Sequence, residues 1–343
     1  MSVEKAKQLF QSGQVALKVG DLEEALDQAK AGLDICDVAE SEVHAALLDL
    51  QASVETEIKK KERSRAASRA SYTQLKALSF DSHSAKKFAE ANARPSLRLQ
   101  LDPTSDNIGP HSKVGGNPVV PKDFVWPKRE DGRPLTFLCQ INLAEVNDFV
   151  FTHKYLPRAG ILSFFYDVEE EPSGLDAGDR HGWCVYYFAP QIKVYHYDEA
   201  EGEVIAGYQV HYVVEPSYPD PVSKLAEQLE RKDFGEYDNF TDTCYAEMPY
   251  HRLLGHPQLV LNDFFEECEI ASRGLELQSV LDDPYLAKDI SQACKSWVLL
   301  LQLDSDERVN FMWGEGGTIY FCIEEEALKH KDFSNVWLIM QCT

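Results

Sequence analysis

The 343-residue sequence has few of the features that announce chemistry. It has no glycine-rich loop with the lysine placement of a phosphate site, no GxSxG around a serine and no CxxC cysteine pair. It also has no run approaching the roughly 20 apolar residues that a helical membrane span needs, which excludes that mode of anchoring. The opening MSVEKAKQLF carries charges where a secretory signal is apolar, so the expected address is the cytoplasm, with the nucleus equally open. Positive charge is short: 34 Lys and Arg stand against 57 Asp and Glu, a net charge of -23. The first 71 residues carry 10 basic and 13 acidic side chains, so -20 remains on residues 72 to 343. Such a field repels polyphosphate and excludes nucleic acid as a partner of that part; a basic protein or a small ligand suits it better.

What is present is an ordinary globular composition, 44% hydrophobic, on a chain long enough for two cores or for one large core with an appendage. Eight cysteines occur at 36, 139, 184, 244, 268, 294, 322 and 342. Cys139, Cys184 and Cys322 sit inside apolar runs, which predicts buried reduced thiols and a reducing compartment. No set of thiols or imidazoles has the spacing of a metal site, so neither metal nor cofactor is expected.

The N-terminal segment places Ala6, Leu9, Phe10, Gly13, Ala16 and Leu17 on one helical stripe and repeats the pattern with Leu22, Ala25, Leu26, Ala29 and Leu33. Gly20-Asp21 marks the turn between the two helices. Small residues at Gly13, Ala16 and Ala25 let the helices approach closely, and the hairpin resembles a single tetratricopeptide repeat. A third helix is expected from a cap at Ser41 to about Lys60. The organisation predicted is therefore a helical segment over 1–60, a basic serine-bearing linker over 61–80 and an α+β domain over 81–343. In that last part, SHSAKKFAEANA and DDPYLAKDISQACKSW read as helices. RLQLD, TFLCQINL, ILSFFYD, WCVYYFA, KVYHYD and VIAGYQVHYVV read as strands from their β-branched and aromatic content.

Two stretches share a grammar. TFLCQINL and LLLQLDSD each run an apolar strand into a glutamine, Gln140 or Gln302, and then into polar residues. A glycine before an aromatic strand follows each, Gly160 and Gly317, and then a tryptophan, Trp183 and Trp337. The intervals are 20 and 23 residues in the first series and 15 and 20 in the second. GGNP at 115–118 has an echo in LGHP at 254–257. The series predicts an internal duplication, two mixed-sheet repeats about a pseudo-twofold axis, with both glutamines as architecture, because a buried amide must have its hydrogen bonds satisfied.

SKVGGNPVVPKDFVWP, GRPLTFLCQINLAEV, LPRAGILSFFYD, HRLLGHPQ, LLLQLDSDE, MWGEGGTIYFCI and DFSNVWLIMQC, in that order, resemble the YwqG-like family of uncharacterised proteins from about residue 94 to the C-terminus. The resemblance implies a soluble, duplicated α+β domain. It implies no reaction, and no catalytic residue is carried over by it.

Candidate binding residues fall into three loops. His251, Arg252 and His256 form a loop suited to an anionic ligand; His111 and Lys113 precede a glycine pair in a loop of similar character. Asp304 and Glu315 gather negative charge at a strand end, without the spacing of a calcium loop. Trp313, in MWGEGG, is expected to be exposed by its glycine-rich surroundings. The function read from this is a non-enzymatic binding module whose N-terminal helices dock a protein partner. The alternative is a hydrolase or ligand-modifying enzyme with His111, His251, His256, Asp304 and Glu315 around a cleft between the repeats.

Overall fold

The computed structural model describes residues 2–19, 22–36, 42–76, 83–104, 109–197 and 205–343. The Gly20-Asp21 turn and the Ser41 cap lie outside the described residues. The chain divides into two compact units, Met1–Arg69 and Ala70–Thr343. Among the described residues no helix is long and apolar enough to cross a membrane.

The first unit is helical. Helices α1 (Ser2–Val19) and α2 (Leu22–Ile35) carry the two predicted stripes, and α3 begins at Glu42. Ala16, Ala25 and Ala29 pack with Leu50 and Val54 of α3, while Ala6 and Cys36 pack with Leu47. The small residues are required by the packing: a Cβ on Gly13 would lie 2.8 Å from Leu50 Cδ2. The third helix is longer than its sequence suggests. It runs to Lys76, so residues 61–76 of the expected linker have a helical backbone. Alanines, arginines and lysines are good helix formers, and their lack of apolar periodicity says nothing against a helix that needs no buried face.

The second unit is built on one ten-stranded sheet in which every ladder is antiparallel. Its strands are β1 (Arg94–Pro103), β2 (Lys113–Val114), β4 (Thr136–Asn142), β5 (Ile161–Tyr166), β6 (Trp183–Phe188), β8 (Tyr208–Ser217), β9 (Arg252–Leu253), β10 (Trp297–Asp304), β11 (Thr318–Glu324) and β12 (Trp337–Gln341). A separate pair joins β3 (Val119–Pro121) to β7 (Val194–His196). The centre of the large sheet is the ten-residue pairing of β1 with β8. Outward from it, one side runs β9, β10, β11, β12 and the other β2, β4, β5, β6.

The sheet curls until its two ends meet, so it is nearly closed around one apolar core. Phe164 of β5 and Phe321 of β11 touch edge to face across that core at 5.1 Å. Helices cover the outside. α4 (His83–Asn92) packs on α6 (Arg231–Cys244) through Ala85, Ala89 and Tyr237. α7 (Phe265–Ser272), α8 (Leu277–Asp282) and α9 (Pro284–Ala293) share Ile270, Val280 and Ile290. Single turns α5 (Leu143–Val146) and α10 (Glu325–Lys329) follow β4 and β11. The start of α9 is as its sequence predicts: Pro284 occupies the first turn and the Asp283 carboxylate accepts from Tyr285 N and Leu286 N. Helix α7 has no clear signal in the sequence, being short, acidic and weakly periodic.

Candidate functional site

The predicted site residues gather at two strand-to-turn junctions that share their geometry. At the first, β2 leads into a turn whose Gly115 and Gly116 have φ of +65° and +67°. At the second, β9 leads into Leu254 and Gly255, at +62° and +87°. A left-handed conformation costs a residue with a Cβ roughly 1–2 kcal/mol, and Leu254 is held there by complete burial of its side chain. Lys113 Nζ donates to the Asn117 carbonyl four residues on, closing the first turn; Arg252 Nη1 donates to the His256 carbonyl and closes the second.

The glutamines fasten these turns to the sheet. Gln140 faces Lys113 across the ladder, and Gln302 faces Arg252. Gln140 Oε1 accepts from Val119 N at 3.0 Å, and its Nε2 donates to the carbonyls of His111 at 2.7 Å and Gly109 at 3.2 Å. Gln302 Oε1 accepts from Gln258 N at 3.0 Å, while its Nε2 donates to the Tyr250 carbonyl at 3.1 Å and to Asp304 Oδ1 at 3.2 Å. Each amide thus uses both of its ends inside the fold. Gly160 and Gly317 also serve alike. Their carbonyls accept from Leu143 N and Ser305 N, and a Cβ on either would collide with the carbonyl that ends the neighbouring strand, Phe188 or Gln341.

The side chains expected to receive a ligand are mostly spent on such bonds. His251 is fully buried: its Nδ1 accepts from Asp304 N at 3.2 Å, which leaves the proton on Nε2, donated to Asp306 Oδ2 at 3.0 Å. Neither ring nitrogen is left to act as a base. Burial alone would raise the Asp306 carboxyl, but the bonds from His251 and Arg308 outweigh it and hold it well below the usual range. Asp304 is also buried and accepts from Tyr250 N, Gln302 Nε2 and Thr318 Oγ1; desolvation is the largest influence on it and pushes its carboxyl up. Arg252 has its guanidinium over the rings of Tyr245 and Tyr250, at 4.9 and 4.5 Å, rather than open to an anion. His256 donates from Nε2 to the Asn92 carbonyl at 2.8 Å; burial, with Arg94 nearby, lowers its imidazole to about 3.

Trp313 requires a correction, since it is 1% exposed. Gly314 and Gly316, both at positive φ, turn the chain back so that Gly317 N reaches the Trp313 carbonyl at 2.7 Å. The indole is thereby folded in against Phe311 and Tyr166. Glu315 stays exposed and therefore does not join buried Asp304. His111 remains half-exposed, with Nδ1 2.8 Å from Glu145 Oε1. The strands behind the two junctions, β2 and β9, are separated by β8 and β1, about 14 Å at a spacing of roughly 4.8 Å per strand.

Concave surface occurs at three places among the described residues. A cavity of about 330 Å³ opens between α7 and β12, lined by apolar residues around Glu267. A second, of about 310 Å³, lies by Arg94, Lys154 and Leu254. In the helical unit, Phe10, Leu17, Ala46, Leu50 and Ser53 border a groove of about 260 Å³. The helical stripes pointed toward the last of these. The first depends on α7, whose sequence signal is weak.

A search of curated proteins returns no match. Residues 112–342 match the family described as Domain of unknown function (DUF1963), the same family that the ordered motifs resemble. The match takes in both turn junctions, both glutamines and well over half of the sequence, and the chain belongs to that family.

Proposed function

We propose that this chain is a binding module: an acidic, internally duplicated sheet domain preceded in sequence by a helical unit that docks a segment of a partner protein. The duplication is supported by the two equivalent series of bonds around Gln140 and Gln302, and by a strand order that reads alike on both sides of the β1–β8 pair. In this reading the halves are β1 to β6 and β8 to β12, and each lends its first strand to the other's side. The helical unit resembles one tetratricopeptide hairpin closed by a third helix. Free thiols at all eight cysteines suit a reducing compartment such as the cytoplasm.

The observation that carries the docking role is the groove between α1 and α3. Its apolar lining comes from Phe10, Leu17, Ala46 and Leu50, and the exposed polar residues Gln14, Asp49 and Ser53 border it. Val15 and Leu48, on the same two helices, are 62% and 49% exposed. Burying one leucine-sized anchor contributes about 1.5–3 kcal/mol, and association costs roughly 4 kcal/mol or more. Several anchors together therefore reach micromolar affinity.

The test compares full-length protein with Ser53→Arg, a change at an exposed helical position that puts a charged side chain into the groove. A partner captured by the parent protein, purified and shown to bind it directly, should be lost by the variant while the thermal transition stays unchanged. If the purified partner binds both proteins equally, the groove is not the docking surface.

A further inference from the structure

We infer that the cavity between α7 and β12 is a binding site for a small organic cation, an apolar chain or ring bearing an ammonium group, with Glu267 as its counter-ion. The site is separate from the helical groove, and the inference goes beyond the docking role.

Three observations carry it. The cavity is apolar where it is deep, and large apolar side chains stand at its mouth beside the exposed acidic ones. Phe264, Ile270 and Ile339 are buried, whereas Leu175, Leu261 and Leu277 line the same cavity yet are each more than half exposed. Large apolar side chains left in water around one concavity mark a surface that something else covers. The volume, about 330 Å³, is that of a small-ligand site.

The second observation is charge. The ionisable residues of the lining are Asp176, Glu267 and Glu276, and no lysine, arginine or histidine is among them. An anion would be repelled here, and a neutral apolar ligand would leave the carboxylates unanswered.

The third is the pairing along α7. Glu266 is held by Lys224; Glu269 is held by Arg273 and by Trp297 Nε1 at 2.6 Å. Glu267, between them, makes no ion pair among the described residues, and Lys224, already bonded to Glu266, acts on it only from a distance. Asn262 Nδ2 donates to its Oε1 at 3.2 Å, and burial, the largest influence, pushes its carboxyl up because that bond and the more distant Lys224 only partly offset the lost water. An ammonium group beside Glu267 supplies that charge while its apolar body covers the leucines.

The test uses the full-length protein with methyl-labelled methionine. Of the four methionines Met340 lines the cavity, so its methyl resonance reports on the site. Hexylammonium, hexan-1-ol and hexanoate present one apolar chain with three head groups. Hexylammonium should shift Met340 and bind at least about tenfold more tightly than hexanol, as a charge-assisted bond replaces a neutral one, with hexanoate weakest. Glu267→Gln should bring the ammonium down to the level of hexanol. Leu277→Arg, at an exposed position, should displace it by placing the protein's own cation at the mouth. Equal binding of all three probes, an ammonium preference that survives Glu267→Gln, or no response at Met340 would each overturn the assignment.

Discussion

Trp183 and Trp337 meet edge to face with ring centroids 5.1 Å apart, although they belong to β6 and β12, the two ends of the ten-strand order. The contact is reinforced by bonds in both directions. Trp183 Nε1 donates to the Val336 carbonyl at 3.0 Å, and Trp337 Nε1 donates to the Gly174 carbonyl at 2.8 Å. Met340 N adds a bond to the Ser173 carbonyl. A sheet edge otherwise left with free backbone groups is covered in this way, and large buried aromatics do the sealing.

That closure, together with the pairing of β1 with β9 and of β8 with β2, predicts that neither the N-terminal nor the C-terminal half of the second unit folds alone. β2 finds a neighbour in β8 and β9 finds one in β1, so a chain cut between residues 200 and 201 separates partners at the centre of the sheet as well as at its ends. In a chain that begins at Ala70, so that the helical unit does not contribute, each fragment by itself should lack a cooperative thermal transition, and mixing the two should restore near-ultraviolet circular dichroism. A cooperative melt from either fragment alone would show that the halves are independent domains.

The two glutamines should matter alike. Gln140→Leu removes the partner of buried Val119 N and of the part-buried His111 carbonyl, and Gln302→Leu that of the buried Tyr250 carbonyl and of part-buried Gln258 N. Each orphaned group costs about 1–3 kcal/mol, so either variant should lose at least that much in chemical denaturation. A variant within ~0.5 kcal/mol of the parent would mean that the amide is dispensable at that junction.

His256 makes a pH prediction. Its folded imidazole is lowered from 6.5 to about 3, with burial as the main cause. The folded state therefore binds fewer protons than the unfolded one between these values. The stabilising contribution is complete above pH 6.5 and is lost as pH falls toward 3, at roughly 1.4 kcal/mol per pH unit. Asn117 holds the corresponding place in the first turn, so His256→Asn is the informative change. The variant should be less stable at neutral pH, through loss of the bond to Asn92, but its stability should fall less steeply between pH 6 and 4. Parallel curves for the two proteins would show that His256 does not carry this dependence.

Much of the architecture was legible in the chain itself. The helical stripes, the strands around Gln140 and Gln302 and the start of α9 are local matters, set by side-chain periodicity and by capping. Their order also pointed to the family. Whether a polar side chain is available to a ligand is a different matter, because availability depends on neighbours distant in sequence. His251 looked like a loop imidazole and became a buried strut because Asp304 and Asp306, more than 50 residues away, take both its nitrogens. Trp313 looked exposed and was covered by Tyr166 from the other side of the sheet. Glu267 carried no motif at all, and only the folding of α7 beside β12 placed its carboxylate, bonded by Asn262, at the wall of a cavity rich in apolar side chains. Sequence fixed which residues could form strands, turns and stripes. The tertiary structure decided which polar groups were satisfied internally and which were left for something else, because burial and pairing are properties of the assembled surface and not of any one segment.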